Sequence, residues 1–305
     1  MTPIRRHFKA YLGARASGDL EGALHVAHAA HGECPREHHR TWLWQACMQS
    51  RRGDAAGAAA CLRAGLEEDA WWSPGLLDGE ADLAVARETA AFKEVSQECA
   101  RRFLDAQGRA RPICRVLSPA GATWEQRTLL LLHGKGNTAA EFSPHWEPLL
   151  NQGWTLIAAQ SSQPYDSGSF CWDDNDRARA EVREILMDCE RLRRLSTEGM
   201  VIAGASQGAR LAVEAAHEAG VPWLGVIPSF PPGYDTAPLI GVPGQAREAF
   251  LLGENDPANT LSRAVISSLQ GAGVSVRVRV MKGAGHELPD DLAWHAGEML
   301  LELLE

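Results

Sequence analysis

From Ile113 to the end of the chain, short apolar runs alternate with amphipathic stretches of helical period, and this alternation restricts the fold more than any other feature. Strands are expected at Ile113–Leu117, Thr128–Leu132, Thr155–Ala159, Met200–Ala203, Leu224–Ile227, Ala249–Leu252 and Val274–Val280. Helices are expected at Ala139–Gln152, Arg177–Arg194, Gln207–Ala219, Thr260–Gln270 and Asp290–Leu304. Each helix returns the chain to the edge from which the last strand left, so the next strand pairs in parallel. A run such as Leu129-Leu130-Leu131-Leu132 is apolar on both faces, as a strand covered by helices on both sides must be. The last strand alternates Val with Ser or Arg, which predicts one wetter face and a position near the sheet edge. The expected class is α/β, a mostly parallel sheet with helices on both faces.

Residues 1 to about 108 carry no strand pattern. They are rich in Ala, Arg and Leu and read as successive helices, the last from Asp82 to Ala106, followed by a Gly108–Pro112 linker. Gly18-Asp19-Leu20-Glu21-Gly22-Ala23 returns 35 residues later as Gly53-Asp54-Ala55-Ala56-Gly57-Ala58. Tetratricopeptide repeats recur at about 34 residues. Trp42 and Ala46 stand where the first helix of such a repeat needs a large and then a small residue, while Ala23, Ala30 and Pro35 suit the second helix and its turn. A generic helical hairpin is the alternative. Two repeats are fewer than the ~3 that stack stably alone, so the segment is expected to lean on the second domain. Trp42, Trp44, Trp71 and Trp72 are candidates for that contact or for internal core. The expected division is 1–108, a small all-α, helical-repeat-like domain that could dock a protein partner, and 109–305, a catalytic domain.

A net charge of −9 argues against a nucleic-acid partner, which would need a basic patch. The seven cysteines are scattered and no two form a C-x-x-C, so neither a disulfide framework nor a zinc site is expected. No apolar stretch follows the basic N-terminus as a leader would, and none approaches the ~20 residues that span a bilayer. The expectation is a cytoplasmic protein with reduced thiols.

The chemistry concentrates in three motifs. Gly204-Ala205-Ser206-Gln207-Gly208 follows the strand at Met200–Ala203 and opens an Ala-rich helix. That is the strand–turn–helix setting of a nucleophile elbow, in which a tight turn raises the serine hydroxyl above the sheet. The helix start also aims N–H groups and its positive dipole end at the serine. His133-Gly134-Lys135-Gly136 follows the strand at Thr128–Leu132. A Gly-rich turn there leaves backbone N–H groups to face an oxyanion, with the N–H of Gln207 as second donor; a phosphate-binding loop is the alternative, without the full spacing. Gly283-Ala284-Gly285-His286 follows the last strand and places His286 where the base of a serine nucleophile belongs. The acid should lie between them in a loop after a strand. Asp256 fits best, with Glu254 and Asp235 as alternatives. His217 and His295 lie on predicted helices as fillers. His25, His28, His31, His38 and His39 crowd the N-terminal domain, where a solvated helix face or a metal cluster would account for them; no ligand set with metal spacing stands out.

These motifs, with Glu287-Leu288-Pro289 after His286, resemble the phospholipase/carboxylesterase branch of the α/β hydrolases, which includes dienelactone-hydrolase-like proteins and acyl-protein thioesterases. The resemblance covers about residues 113–305. It implies a triad of Ser206, Asp256 and His286, an oxyanion hole from the N–H groups of Lys135 and Gln207, and a small-molecule ester substrate bordered by Gly134, Tyr165, Phe170 and Trp172. Acyl transfer of this kind needs no cofactor and no metal. A thioesterase or serine peptidase would use the same residues. A partner-binding module with a vestigial hydrolase domain is the rival from another class, against which the intact set speaks.

Overall fold

The computed structural model describes residues 2–119, 121, 127–193, 200–219, 221–230, 234 and 247–304. Asp235 lies outside the described residues. The chain divides into two compact units: Met1–Ala110 together with Pro164–Ser169, and Arg111–Gln163 together with Phe170–Glu305.

The first unit is helical, with helices Pro3–Ser17, Leu20–Glu33, His38–Arg51, Ala55–Glu67, Pro74–Gly79, Ala84–Arg87 and Ala90–Arg109. The sequence echo is also a structural one. Asp19 and Asp54 each cap a helix by accepting from an N–H three residues on, Gly22 and Gly57, both at 2.8 Å. Each is preceded by a glycine at positive φ, 79° at Gly18 and 82° at Gly53. The unit has its own core of Tyr11, Leu24, Met48, Leu62, Leu77 and Phe92, with Trp44 and Trp72 inside it and Trp42 and Trp71 packed against it. All four tryptophans therefore serve the core of this unit. The helix expected over Asp82–Ala106 is interrupted: Thr89 starts a new helix by accepting from the N–H of Phe92 at 3.2 Å. The segment Pro164–Ser169 is held by main-chain bonds, Ser73 N–H to Tyr165 O and Ser167 N–H to Trp71 O, both 3.0 Å, and by a bridge between Trp72 and Asp166.

The second unit is built on a seven-stranded sheet: β1 Ile113–Leu117, β2 Thr128–Leu132, β3 Thr155–Gln160, β4 Met200–Ala205, β5 Trp223–Val226, β6 Glu248–Gly253 and β7 Val276–Met281. The order is β1-β3-β2-β4-β5-β6-β7. Only β1 is antiparallel, against β3. β7 occupies the expected edge. The leucines of β2 divide by parity. Leu129 and Leu131 face a core with Trp146, Trp154 and Leu300 of the helix Leu292–Leu304. Leu130 and Leu132 face another with Val182, Leu211 and Ile266 from helices Asn175–Arg193, Gln207–Ala219 and Asn259–Gly271. Helices thus cover both faces, which is why the run Leu129–Leu132 has no polar position. The helix expected over Ala139–Gln152 survives only as Ala139–Phe142, followed by 3₁₀ turns at Ser143–His145 and Glu147–Gln152. Pro144 and Pro148 lack the N–H that a continuing helix needs. Among the described residues no helix is long and apolar enough to cross a membrane.

Candidate active site

β4 delivers Ser206 to the top of the sheet with φ 52°, the left-handed region that an L-residue occupies only under constraint. The constraint is crowding. A Cβ on Gly204 would lie 2.1 Å from Gly208 O, and one on Gly208 would lie 2.2 Å from Leu132 O. Both glycines are therefore required for the helix to start so close to β2. Gly134 lies against the turn: a Cβ there would stand 3.3 Å from Ala205 O and 3.5 Å from Ser206 Cβ.

The loop after β7 brings His286 to the serine, with Nε2 2.8 Å from Ser206 Oγ. On the other side, Nδ1 lies 2.9 and 3.0 Å from the two carboxylate oxygens of Asp256. A carboxylate only accepts, so Nδ1 carries the hydrogen and Nε2 is left to accept from the serine hydroxyl. Asp256 is buried, and Oδ1 also accepts from the N–H of Ala258 at 2.8 Å. Glu254 turns elsewhere, accepting from the N–H of Gly283 at 2.8 Å. A serine donating to an imidazole that is oriented by a buried carboxylate can be deprotonated as it attacks an electrophile.

The loop after β2 is organised by His133, which is fully buried. Its Nδ1–H donates to Gly134 O at 2.8 Å, and its Nε2 accepts from the N–H of Ser161 at 3.3 Å. Burial pushes its pKa down to about 4, so the ring stays neutral and both nitrogens keep their roles. The main chain of the loop pairs with Phe170: Gly136 N–H donates to Phe170 O at 2.9 Å, and Phe170 N–H to Asn137 O at 3.1 Å. Gln207 is the first residue of its helix, so its N–H has no intrahelical acceptor.

No sequence motif marks Asp173. Its carboxylate accepts from Lys135 Nζ at 2.9 Å through both oxygens and from Gln207 Nε2 at 2.8 Å, while Gln207 Oε1 accepts from the N–H of Trp172 at 2.8 Å. Burial opposes ionisation of Asp173, but Lys135 and Gln207 hold the carboxyl below its ordinary range.

Of the residues expected to border substrate, Gly134 and Phe170 lie at this loop cluster. The other two are engaged in packing. Trp172 is fully buried, with its indole N–H donating to His133 O at 2.9 Å, so it supports the loop from below. Tyr165 packs on the core of the helical unit. One group among the described residues has metal-ligand spacing, Cys47, Glu80 and Asp82 in the helical unit. Its carboxylates are already engaged by Arg15, at 2.5 Å from Asp82 and 3.8 Å from Glu80. Of the crowded histidines, His31 and His38 each stand 3.6 Å from Glu68.

No protein-family model matches the chain, and no curated protein matches it in sequence. Solved structures do match. An uncharacterized protein from Bacillus cereus ATCC 10987 matches over 99% of both chains with a TM-score of 0.54 and 20% identity. A carboxylesterase from Mesorhizobium loti matches 62% of this chain and 93% of its own, with a TM-score of 0.53 and 20% identity. A dienelactone hydrolase-like promiscuous phosphotriesterase from metagenomic libraries matches 65% of this chain and 95% of its own, with a TM-score of 0.52 and 17% identity. The sheet unit has the α/β-hydrolase fold.

Proposed function

We propose that the chain is a serine hydrolase that cleaves carboxylic esters through an acyl-enzyme. The observation that carries the reading is the unbroken hydrogen-bond line from Ser206 Oγ through His286 to Asp256, at 2.8 and 2.9 Å. In the first half-reaction His286 Nε2 takes the hydroxyl proton as Ser206 Oγ bonds to the ester carbonyl carbon. The carbonyl oxygen becomes an oxyanion, met by the N–H groups of Lys135 and Gln207. Asp256 stabilises the imidazolium without taking its proton. Collapse expels the alcohol, which leaves with the proton from His286. Water then repeats the sequence on the acyl-enzyme and frees the acid. No step calls on a metal or a cofactor.

The esterase names among the fold neighbours support an ester over an amide or thioester, and the fold alone leaves the acyl group open. We further propose that residues 1–108 are a tetratricopeptide-like module, which the 35-residue recurrence of capped helices supports. Ser206→Ala should keep the fold and abolish both hydrolysis of p-nitrophenyl esters and labelling by a fluorophosphonate. Most of the activity surviving in that variant would overturn the assignment.

A further inference from the structure

The two side chains that flank the proposed oxyanion hole end on one carboxylate. Lys135 and Gln207 stand on different segments, the loop after β2 and the start of the helix Gln207–Ala219, and each is proposed to offer its main-chain N–H to the same oxygen. Their side chains converge on Asp173, Lys135 Nζ at 2.9 Å to both oxygens and Gln207 Nε2 at 2.8 Å to one. Asp173 is itself anchored at both sides in sequence. Trp172 N–H donates to Gln207 Oε1, the buried Trp172 indole holds His133 O at 2.9 Å, and Asp174 N–H donates to Gln163 Oε1 at 2.8 Å. The carboxylate therefore sits on a braced strip of chain and reaches both halves of the hole.

We propose that Asp173 is a positioning residue that sets the spacing of the oxyanion hole by clamping Lys135 and Gln207 to a common anchor. This rests on the Ser206 reading above. The physical reason is that two N–H donors stabilise an oxyanion only if both meet it at 2.7–3.1 Å when charge develops. Hydrogen bonds to the main chain hold the loop at Gly134 and Gly136, and the Lys135 side chain adds a tie to the carboxylate that also holds Gln207. Tying residue 135 to residue 207 through a third group converts two independent positions into one distance. On this proposal the bracket acts on the spacing of the two donors and not on the ester itself, so its worth should appear in the transition state alone.

The test is steady-state kinetics on a p-nitrophenyl ester with the full chain, beside Ser206→Ala, and with thermal unfolding as a check on folding. Asp173→Asn removes the ion pair with Lys135 and should lower kcat about 10- to 100-fold, the scale of a small misplacement of catalytic groups, with KM changed less than about threefold. Affinity for a trifluoromethyl ketone, whose hemiketal oxyanion would occupy the hole, should fall by the same factor as kcat. Lys135→Met breaks the bracket from its other, half-exposed end and should do the same, which covers the case of an Asp173 variant that fails to fold. The double variant should be little worse than either single one, because the bracket is lost once. The proposal is overturned if kcat in both single variants stays within twofold of the parent, if KM alone rises, or if the two losses multiply. Activity lost in Ser206→Ala with no change at Asp173 sinks the bracket and leaves the hydrolase reading standing. Activity kept in Ser206→Ala sinks both.

Discussion

Asp256 and Glu254 lie two residues apart in the turn after β6, and their chemistry is identical at neutral pH. What separates them is where each carboxylate ends: Asp256 on His286 Nδ1, Glu254 on the N–H of Gly283. Nothing in the one-dimensional pattern carries that difference, because it depends on how the loop after β7 passes over the loop after β6. Asp256→Asn should lower kcat on the order of 10⁴-fold, since an amide can offer an N–H to Nδ1 and reverse the tautomer. Glu254→Gln should cost far less, because the remaining amide oxygen can still accept from Gly283. Side-by-side kinetics decide it, and the opposite ranking would move the acid to Glu254. As candidates, Ser206 stands out by a turn whose glycines are required by crowding, and His286 by its place in the glycine-containing loop after the last strand. Asp173 was not legible, since its role comes from three segments meeting and leaves no local motif. The pattern cannot place Trp172, because a large aromatic beside such a loop can either face substrate or prop the loop, and in the structure it is buried.

Among elements, β2 and the two capped helices show what periodicity can and cannot reveal. A run of four leucines in one strand has one explanation, covering on both faces, and the parity of Leu129 to Leu132 follows it. The stretch Ala139–Gln152 has helical spacing of apolar residues, but its two prolines break the main-chain ladder and leave 3₁₀ turns that bury the same side chains, Trp146 and Leu149 among them. The antiparallel sense of β1 was likewise invisible, because a strand's direction depends on its connection and not on its own residues. In the helical unit, Asp19 and Asp54 make the same cap with the same geometry. Asp19→Ala and Asp54→Ala should each destabilise the protein by about 1 kcal/mol, the usual worth of such a cap. Urea unfolding measures this directly. A loss at one site and none at the other would show that the two turns are not equivalent.

At the scale of the molecule, the two compact units do not follow a single division of the chain. The helical unit includes Pro164–Ser169, six residues whose neighbours in sequence run through the loops of the sheet unit. The composition shift near residue 108 marks only the first passage between units, and the sequence holds no sign of the other two. A chain cut by a protease engineered to cleave between Ala110 and Arg111 should therefore run as one particle in size-exclusion chromatography and separate only in denaturant. Two native peaks would show that the hexapeptide does not hold.

The same interleaving bears on inheritance. Where two units meet at one linker, recombination can exchange either for a stranger by a single crossover. Here an exchange upstream of residue 110 would bring in a helical unit that had never met Tyr165 or Asp166, and an exchange downstream would bring in a loop that had never met Trp71 or Ser73. Neither half can be traded without six residues belonging to the other, so a lineage that keeps this loop must pass on the helices and the hydrolase fold as one gene.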